Sequence, residues 1–183
     1  MRLAATVLRA PETLTAASLA RHFKTLERVI AAGEEELVEV PDEEFFHPLE
    51  GSDIARAGRD VTLFGYNISV HWCLQAAETL AKTYGIEAEV VDLYALSPLD
   101  RDGIRDSVTR THRAVIVEEA EPAVGVGAEV MAIINEECFF ELDAAPVRVS
   151  ALNVPIPYNH KLEVAALPNA DDVVNAVRGM FGL

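Results

Sequence analysis

Residues 60–93 read DVTLFGYNISVHWCLQAAETLAKTYGIEAEVVDL, and the change of hydrophobic period inside that stretch decides the fold. Val61 to Tyr66 is a short apolar run of strand formers. Val70 to Tyr84 carries apolar residues at helical spacing and closes on Gly85, and Ile86 to Leu93 is again a run rich in β-branched residues. A strand, a helix and a second strand in such close succession make a right-handed crossover, which lays the two strands parallel. The alternation continues downstream. Pro98 and Asp100 precede a short helical pattern over 101–110, Ala114 to Val117 reads as a strand, Ala128 to Glu141 as a helix, Val147 to Val149 as a strand, and Asp171 to Phe181 as a closing helix. The fold class is α/β, with a mainly parallel sheet covered by helices on both faces.

Upstream the texture differs. Leu14, Ala17, Phe23, Leu26, Val29 and Ile30 recur close to helical spacing between Pro11 and Gly33, the signals of an amphipathic helix. From residue 34 to 51 there is no Lys or Arg, and Pro41 and Pro48 break the run, so this stretch reads as a surface connector. The expected organisation is an N-terminal helical extension over 1–33, an acidic connector over 34–59 and an α/β domain over 60–183.

The 183 residues are 50% hydrophobic and 25% charged, enough for a proper core. Asp and Glu number 30 against 15 Lys and Arg, and the net charge of -15 repels phosphate backbones and anionic lipid heads. Nucleic acid and membrane surfaces are therefore not the expected partners. No apolar run reaches the roughly 20 residues of a bilayer span, and the first ten residues lack a secretory core, so the expected location is the cytoplasm. Cys73 and Cys138 stand apart in apolar helical patterns and read as buried thiols of a reducing compartment, not as a disulfide or a zinc site.

Open parallel sheets bind ligands beyond the carboxyl ends of their strands. That rule makes Tyr66, Asn67, His71, Asp92 and Glu119 the ligand-crevice candidates, with Tyr94, Ser150 and Asn153 nearby. No Ser lies in a nucleophile elbow and neither Cys follows a strand, so no catalytic residue is assigned. Gly125-Val126-Gly127-Ala128-Glu129 superficially suggests a dinucleotide loop. Val130 takes the third glycine position, however, and Glu121 and Glu129 would repel a phosphate; a glycine-permitted tight entry into a helix reads better.

The acidic triplet Glu118, Glu119 and Glu121 admits an acid/base pair, a magnesium ligand set, or a solvated strand end used in charged docking. One cluster without Asn, Asp or phosphate partners is no defined cage, so no metal is assigned, and Glu118 and Glu121 are taken as interface candidates. The five His are too dispersed for zinc, and His71 is the one placed for a functional role, a capping or interface role being its alternative. Asn153-Val-Pro-Ile-Pro-Tyr158 is held extended by two prolines that donate no hydrogen bond. Rigid apolar segments of this kind suit interfaces, which nominates Pro155, Pro157 and Tyr158.

Taken in order, Asp60-Val-Thr-Leu-Phe-Gly-Tyr66, Val70 to Leu80, Glu89-Val-Val-Asp-Leu93, Ser97-Pro-Leu-Asp100, Thr111-His-Arg-Ala-Val-Ile-Val-Glu-Glu119, Gly125-x-Gly-Ala-Glu129, Val154-Pro-Ile-Pro-Tyr158 and Leu162-Glu163 resemble one family. It is the C-terminal domain of transketolase-like thiamine enzymes, and above all the beta subunit of the pyruvate dehydrogenase-type 2-oxo acid dehydrogenase. The resemblance covers about residues 37 to 183 and takes in Glu39-Val-Pro-Asp-Glu-Glu44 and His47-Pro-Leu49; residues 1–33 match nothing in that family. It implies a three-layer α/β/α domain with a five-stranded mixed sheet, one strand running against the others.

In that family a preceding pyrimidine-binding domain supplies the glutamate that activates thiamine diphosphate, while the alpha subunit holds the diphosphate and magnesium. Such a domain needs roughly 150 residues, more than stand before position 37. The resemblance therefore implies a non-catalytic domain or subunit with no cofactor of its own; thiamine diphosphate and Mg would enter only in an assembled complex. Its implied work is assembly, as a homo-oligomer or with a thiamine-dependent alpha or pyrimidine-domain subunit, and docking to the basic subunit-binding domain of a dihydrolipoyl acyltransferase. The alternatives are a split enzyme that decarboxylates a 2-oxo acid only with partner chains, and a small-ligand regulatory module. Two positions depart from the family: Asn67 stands where Gly is usual, and Ala123-Val124 stand where Thr or Gly-Gly is common. The apolar stripe of residues 12–32 is further expected to cover domain surface, in the same chain or a dimer partner.

Overall fold

The computed structural model describes residues 51–183, so the expected N-terminal helix, the motifs at 39–49 and the connector up to residue 50 lie outside the described residues. Over the described part the chain runs β1 (Asp53–Arg56), β2 (Val61–Gly65), α1 (Ile68–Tyr84), β3 (Ala88–Asp92), α2 (Arg101–Thr111), β4 (Ala114–Val117), α3 (Val126–Glu137), a 3-10 turn (Phe139–Glu141), β5 (Val147–Val149), α4 (His160–Ala166) and α5 (Ala170–Phe181). The strands order as β1-β3-β2-β4-β5. β2, β3, β4 and β5 are parallel, and β1 runs antiparallel to β3 along one edge. This is the expected mixed five-stranded sheet.

Strand alternation sorts the core into two layers. Val61, Leu63, Ala88, Val90, Val115 and Val117 face α1 and α5; Phe64, Val91, Ala114 and Ile116 face α2 and α3. Every residue of β2 and β4 is buried, as central strands of a parallel sheet require, and both thiols, Cys73 and Cys138, lie inside these layers.

Two elements differ from the sequence reading. β1 lies inside the stretch read as connector: Asp-Ile-Ala-Arg is short and polar and stays largely exposed at the sheet edge, so it has no hydrophobic period to reveal it. It is fixed instead by the ladder to β3 and by the Arg56 guanidinium, which donates to the Ala88 carbonyl and to Glu87. α4 follows the proline segment, and its Leu162 and Val164 are exposed, so it too lacks a buried stripe. The helix expected over 128–141 ends at Glu137, because Cys138 leaves helical geometry at φ -120 and the chain tightens into the 3-10 turn.

Candidate functional site

The chain leaves β2 through α1 on one face and β4 through α3 on the other, so the strand order reverses between β2 and β4. That switch point is where an α/β sheet opens a ligand crevice. Here it is filled by the protein's own side chains. Glu118, the residue after β4, is completely buried. Its Oε1 accepts from Arg148 Nη2 and from Ser150 Oγ at 3.0 Å; its Oε2 accepts from the Gly127 backbone N–H at 2.8 Å and from Tyr66 Oη at 3.3 Å. A carboxylate has about four lone-pair positions, and each of these four is filled.

The glycine pair belongs to the same node. A Cβ on Gly125 would stand 2.7 Å from Glu118 Oε2, and one on Gly127 would stand 2.6 Å from Oε1. Gly125 gives α3 no side-chain cap, and Glu118 supplies the missing acceptor at the positive end of the helix. The glycines are therefore there to let a carboxylate approach the helix terminus. That carboxylate is the chain's own, which settles the Gly-x-Gly stretch as a helix entry.

The expected crevice residues separate into two groups. Tyr66 spans the switch point through its bond to Glu118, and its phenol is pushed up to about 12, first by burial and then by the charge and hydrogen bond of Glu118. Glu119 is half-buried beside it and adds to that shift. Asp92 and His71 lie apart from them, toward β1, where Asp92 stands opposite Asp53 in the antiparallel ladder. Burial, then Asp53, raise the Asp92 carboxyl, and the neighbouring His71 offsets part of that rise. Asn67 is exposed, has φ 55 and ψ -132, and caps α1 without a side-chain hydrogen bond. Its positive φ accounts for the usual glycine there.

Among the interface candidates, Glu118 needs correction: with no exposed surface it can touch no partner. Glu121 is half-buried. Pro155 and Tyr158 are exposed and Pro157 is half-buried. Around them Leu152, Val154, Ile156, Leu162 and Val164 are exposed as well, making an apolar rim that the sequence marked only at its prolines and tyrosine. A cavity of about 400 Å³ opens beside β5, lined by Arg148, Ser150, Leu152, Leu167, Asp172 and Asn175 among others. None of the five crevice candidates lines it; Arg148 and Asn175 carried no sequence signal because nothing adjacent to them in the chain points to a site.

Thiamine diphosphate, the cofactor implied by the resemblance, does not fit the described strand ends. The α3 N-terminus, the helix start at the switch point, already holds Glu118, and Glu119 and Glu121 follow it in the chain with further negative charge. Among the described residues no group of three or more His, Cys, Asp or Glu is arranged to hold a metal ion.

The domain is a three-layer α/β/α unit with a doubly wound mixed sheet, its switch point closed by a buried carboxylate. The family profile "Transketolase, C-terminal domain" matches residues 51–173, and the chain belongs to that family. It is 41% identical over 142 residues to "Pyruvate dehydrogenase E1 component subunit beta" of Porphyra purpurea, covering 78% of this chain and 43% of the relative. It is 44% identical over 140 residues to the "beta-2, mitochondrial" subunit of the same name in Oryza sativa subsp. japonica, covering 76% of this chain and 37% of that one. The solved structure titled "Split gene transketolase, inactive beta4 tetramer" superposes with a TM-score of 0.64 at 29% identity, over 81% of this chain and 47% of that one. The chain thus spans less than half the length of the curated relatives it matches.

Proposed function

We propose that residues 51–183 serve as the assembly domain of a pyruvate dehydrogenase E1-type beta subunit, contributing surface and not reacting groups to a thiamine-diphosphate-dependent 2-oxo acid dehydrogenase. The observation that carries this reading is the pairing of a self-filled switch point with an exposed apolar rim. Leu152, Val154, Ile156, Tyr158, Leu162 and Val164 expose large side chains within 13 residues, a concentration that marks an interaction surface. The similarity to chains named as E1 beta subunits supplies the kind of complex.

The partners proposed are further copies of the chain and a thiamine-dependent alpha subunit seated on the rim. A basic subunit-binding domain of an acyltransferase is drawn to the acidic side chains that the Lys- and Arg-free stretch 114–147 leaves at the surface, Glu129, Glu136 and Glu141 among them, where complementary charge speeds and orients docking. Thiamine diphosphate and Mg are proposed to be held by the assembled complex. No helix among the described residues is long and apolar enough to cross a membrane, and two free buried thiols suit a reducing compartment such as the cytoplasm.

The test is sedimentation velocity of the full chain, alone and with an E1-type alpha subunit. The expected result is an oligomer or co-complex that Ile156→Asp and Tyr158→Ala each weaken by about tenfold or more while thermal stability stays put, since both side chains are already exposed. A chain that remains monomeric with and without the alpha subunit would overturn the proposal.

A further inference from the structure

We infer that the switch point is an anion-binding cradle in its own right, selective for a planar carboxylate, and that Glu118 acts in it as a built-in ligand that keeps the crevice shut. Three observations carry this. The donors converge from four separate places in the chain, namely Tyr66 after β2, Gly127 in the first turn of α3, Arg148 within β5 and Ser150 just after it, and all four aim at two oxygens in one plane. The backbone is shaped around the anion, because a Cβ on Gly125 or Gly127 would stand 2.7 or 2.6 Å from a carboxylate oxygen, too close for either to be tolerated. The arginine also has a donor that Glu118 does not use: Arg148 Nε is buried with no hydrogen-bond partner among the described residues.

Charge assistance makes this arrangement a strong one. An arginine, a helix terminus and two hydroxyls in a site shielded from water bind an anion far better than any of them does alone. A tether of one side chain makes the binding intramolecular, so a dissolved anion cannot compete at ordinary concentration. Removing the tether leaves the donors in place around a space the size of a small carboxylate. Formate and acetate match its two-oxygen, planar geometry and the space a carboxylate leaves; tetrahedral phosphate and sulfate are bulkier and carry oxygens beyond the two that these donors address.

The experiment uses the full chain with Glu118→Ala, Glu118→Gln and the double variant Glu118→Ala/Arg148→Met, followed by thermal melting against rising sodium formate, with sodium chloride and sodium sulfate at matched ionic strength. Glu118→Ala should melt roughly 10–20 °C below the parent, the scale of a broken buried ion pair in a domain of this size. Formate should recover at least half of that loss along a saturable curve, with no such recovery in the double variant. Glu118→Gln fills the same space with an amide and should fold, melt below the parent and show no recovery. If Glu118→Ala proves insoluble, refolding yield with and without formate replaces the melting curve, and formate-dependent recovery is the supporting result. Equal effects of formate and chloride, recovery in the double variant, equal recovery of the Gln variant, or no recovery of folding by formate would each overturn the inference.

Discussion

Two buried glutamates sit on the same face of the sheet, at opposite ends of its strands, and each is paired with one arginine. Glu118 lies beyond β4 at the carboxyl ends; Glu89 lies early in β3, at the other end. The partner of Glu118 is itself mostly covered, Arg148 being 18% exposed, whereas Arg110 beside Glu89 is 46% exposed. Glu118 takes hydrogen bonds from four residues. Glu89 takes them from Arg110 at 3.0 and 3.1 Å and from the Thr62 hydroxyl at 3.3 Å. A buried charge is tolerable only when its lone pairs are satisfied. One end of the face achieves this with a closed cradle, and the other by leaving its arginine in touch with water. The closed cradle stands where related architectures bind ligands, which is why the comparison bears on function and not on stability alone.

The comparison is broken most directly by neutralising each arginine in turn. Arg148→Met leaves the Glu118 carboxylate buried and uncompensated and should cost about 3–5 kcal/mol in denaturant unfolding. Arg110→Met removes a partner that solvent can partly replace, so its expected cost is about 1–2 kcal/mol. Equal costs for the two substitutions would refute the distinction between the nodes.

A smaller effect attaches to the phenol that bridges the switch point. Tyr66→Phe deletes one neutral donor to Glu118 and should cost about 1 kcal/mol at neutral pH. The sign of its pH dependence follows from the raised phenol. The folded chain keeps a proton that the unfolded chain begins to lose near the ordinary value of 10.0, so this contribution is complete below that pH and fades as pH climbs toward about 12. Tyr66→Phe should flatten the alkaline part of the stability curve, read by denaturant unfolding alongside phenolate absorbance.

The smallest predicted effect is a gain. Asp92 and Asp53 face each other across the β1–β3 ladder, and burial together with Asp53 raises the Asp92 carboxyl. A raised carboxyl binds its proton more tightly when folded, so its ionisation weakens the fold as pH rises through that value and protonation restores it. Asp92→Asn should add about 0.2–1 kcal/mol at neutral pH and remove the stabilisation otherwise seen on mild acidification. Hydrogen exchange at β1 is the sensitive readout.

The central layers of this fold were legible because the strands are short and apolar and the helices between them keep a buried stripe. β2, β4 and β5 fall where the apolar runs predicted, and α1, β3 and α5 within two residues of their expected starts. β1 and α4 were not legible, since a polar edge strand and a helix with exposed leucine and valine carry no such pattern. The site was legible only in its components. Tyr66, Glu118 and the glycine pair were each noted, but under three different readings: crevice, interface and helix entry. Arg148, which links them, gave no local signal at all.

What the sequence by itself determined is the α/β class, the order of the central elements and the family, because hydrophobic period and ordered short motifs are local properties of the chain. What only the tertiary structure decided is the fate of the strand ends. Glu118 meets Tyr66 from 52 residues away, Arg148 from 30 and Gly127 from 9. Whether a glutamate after a strand faces solvent, a metal, a partner or its own backbone depends on where those distant donors are brought, and the side-by-side placement of β2, β4 and β5 in the sheet brings them to one carboxylate.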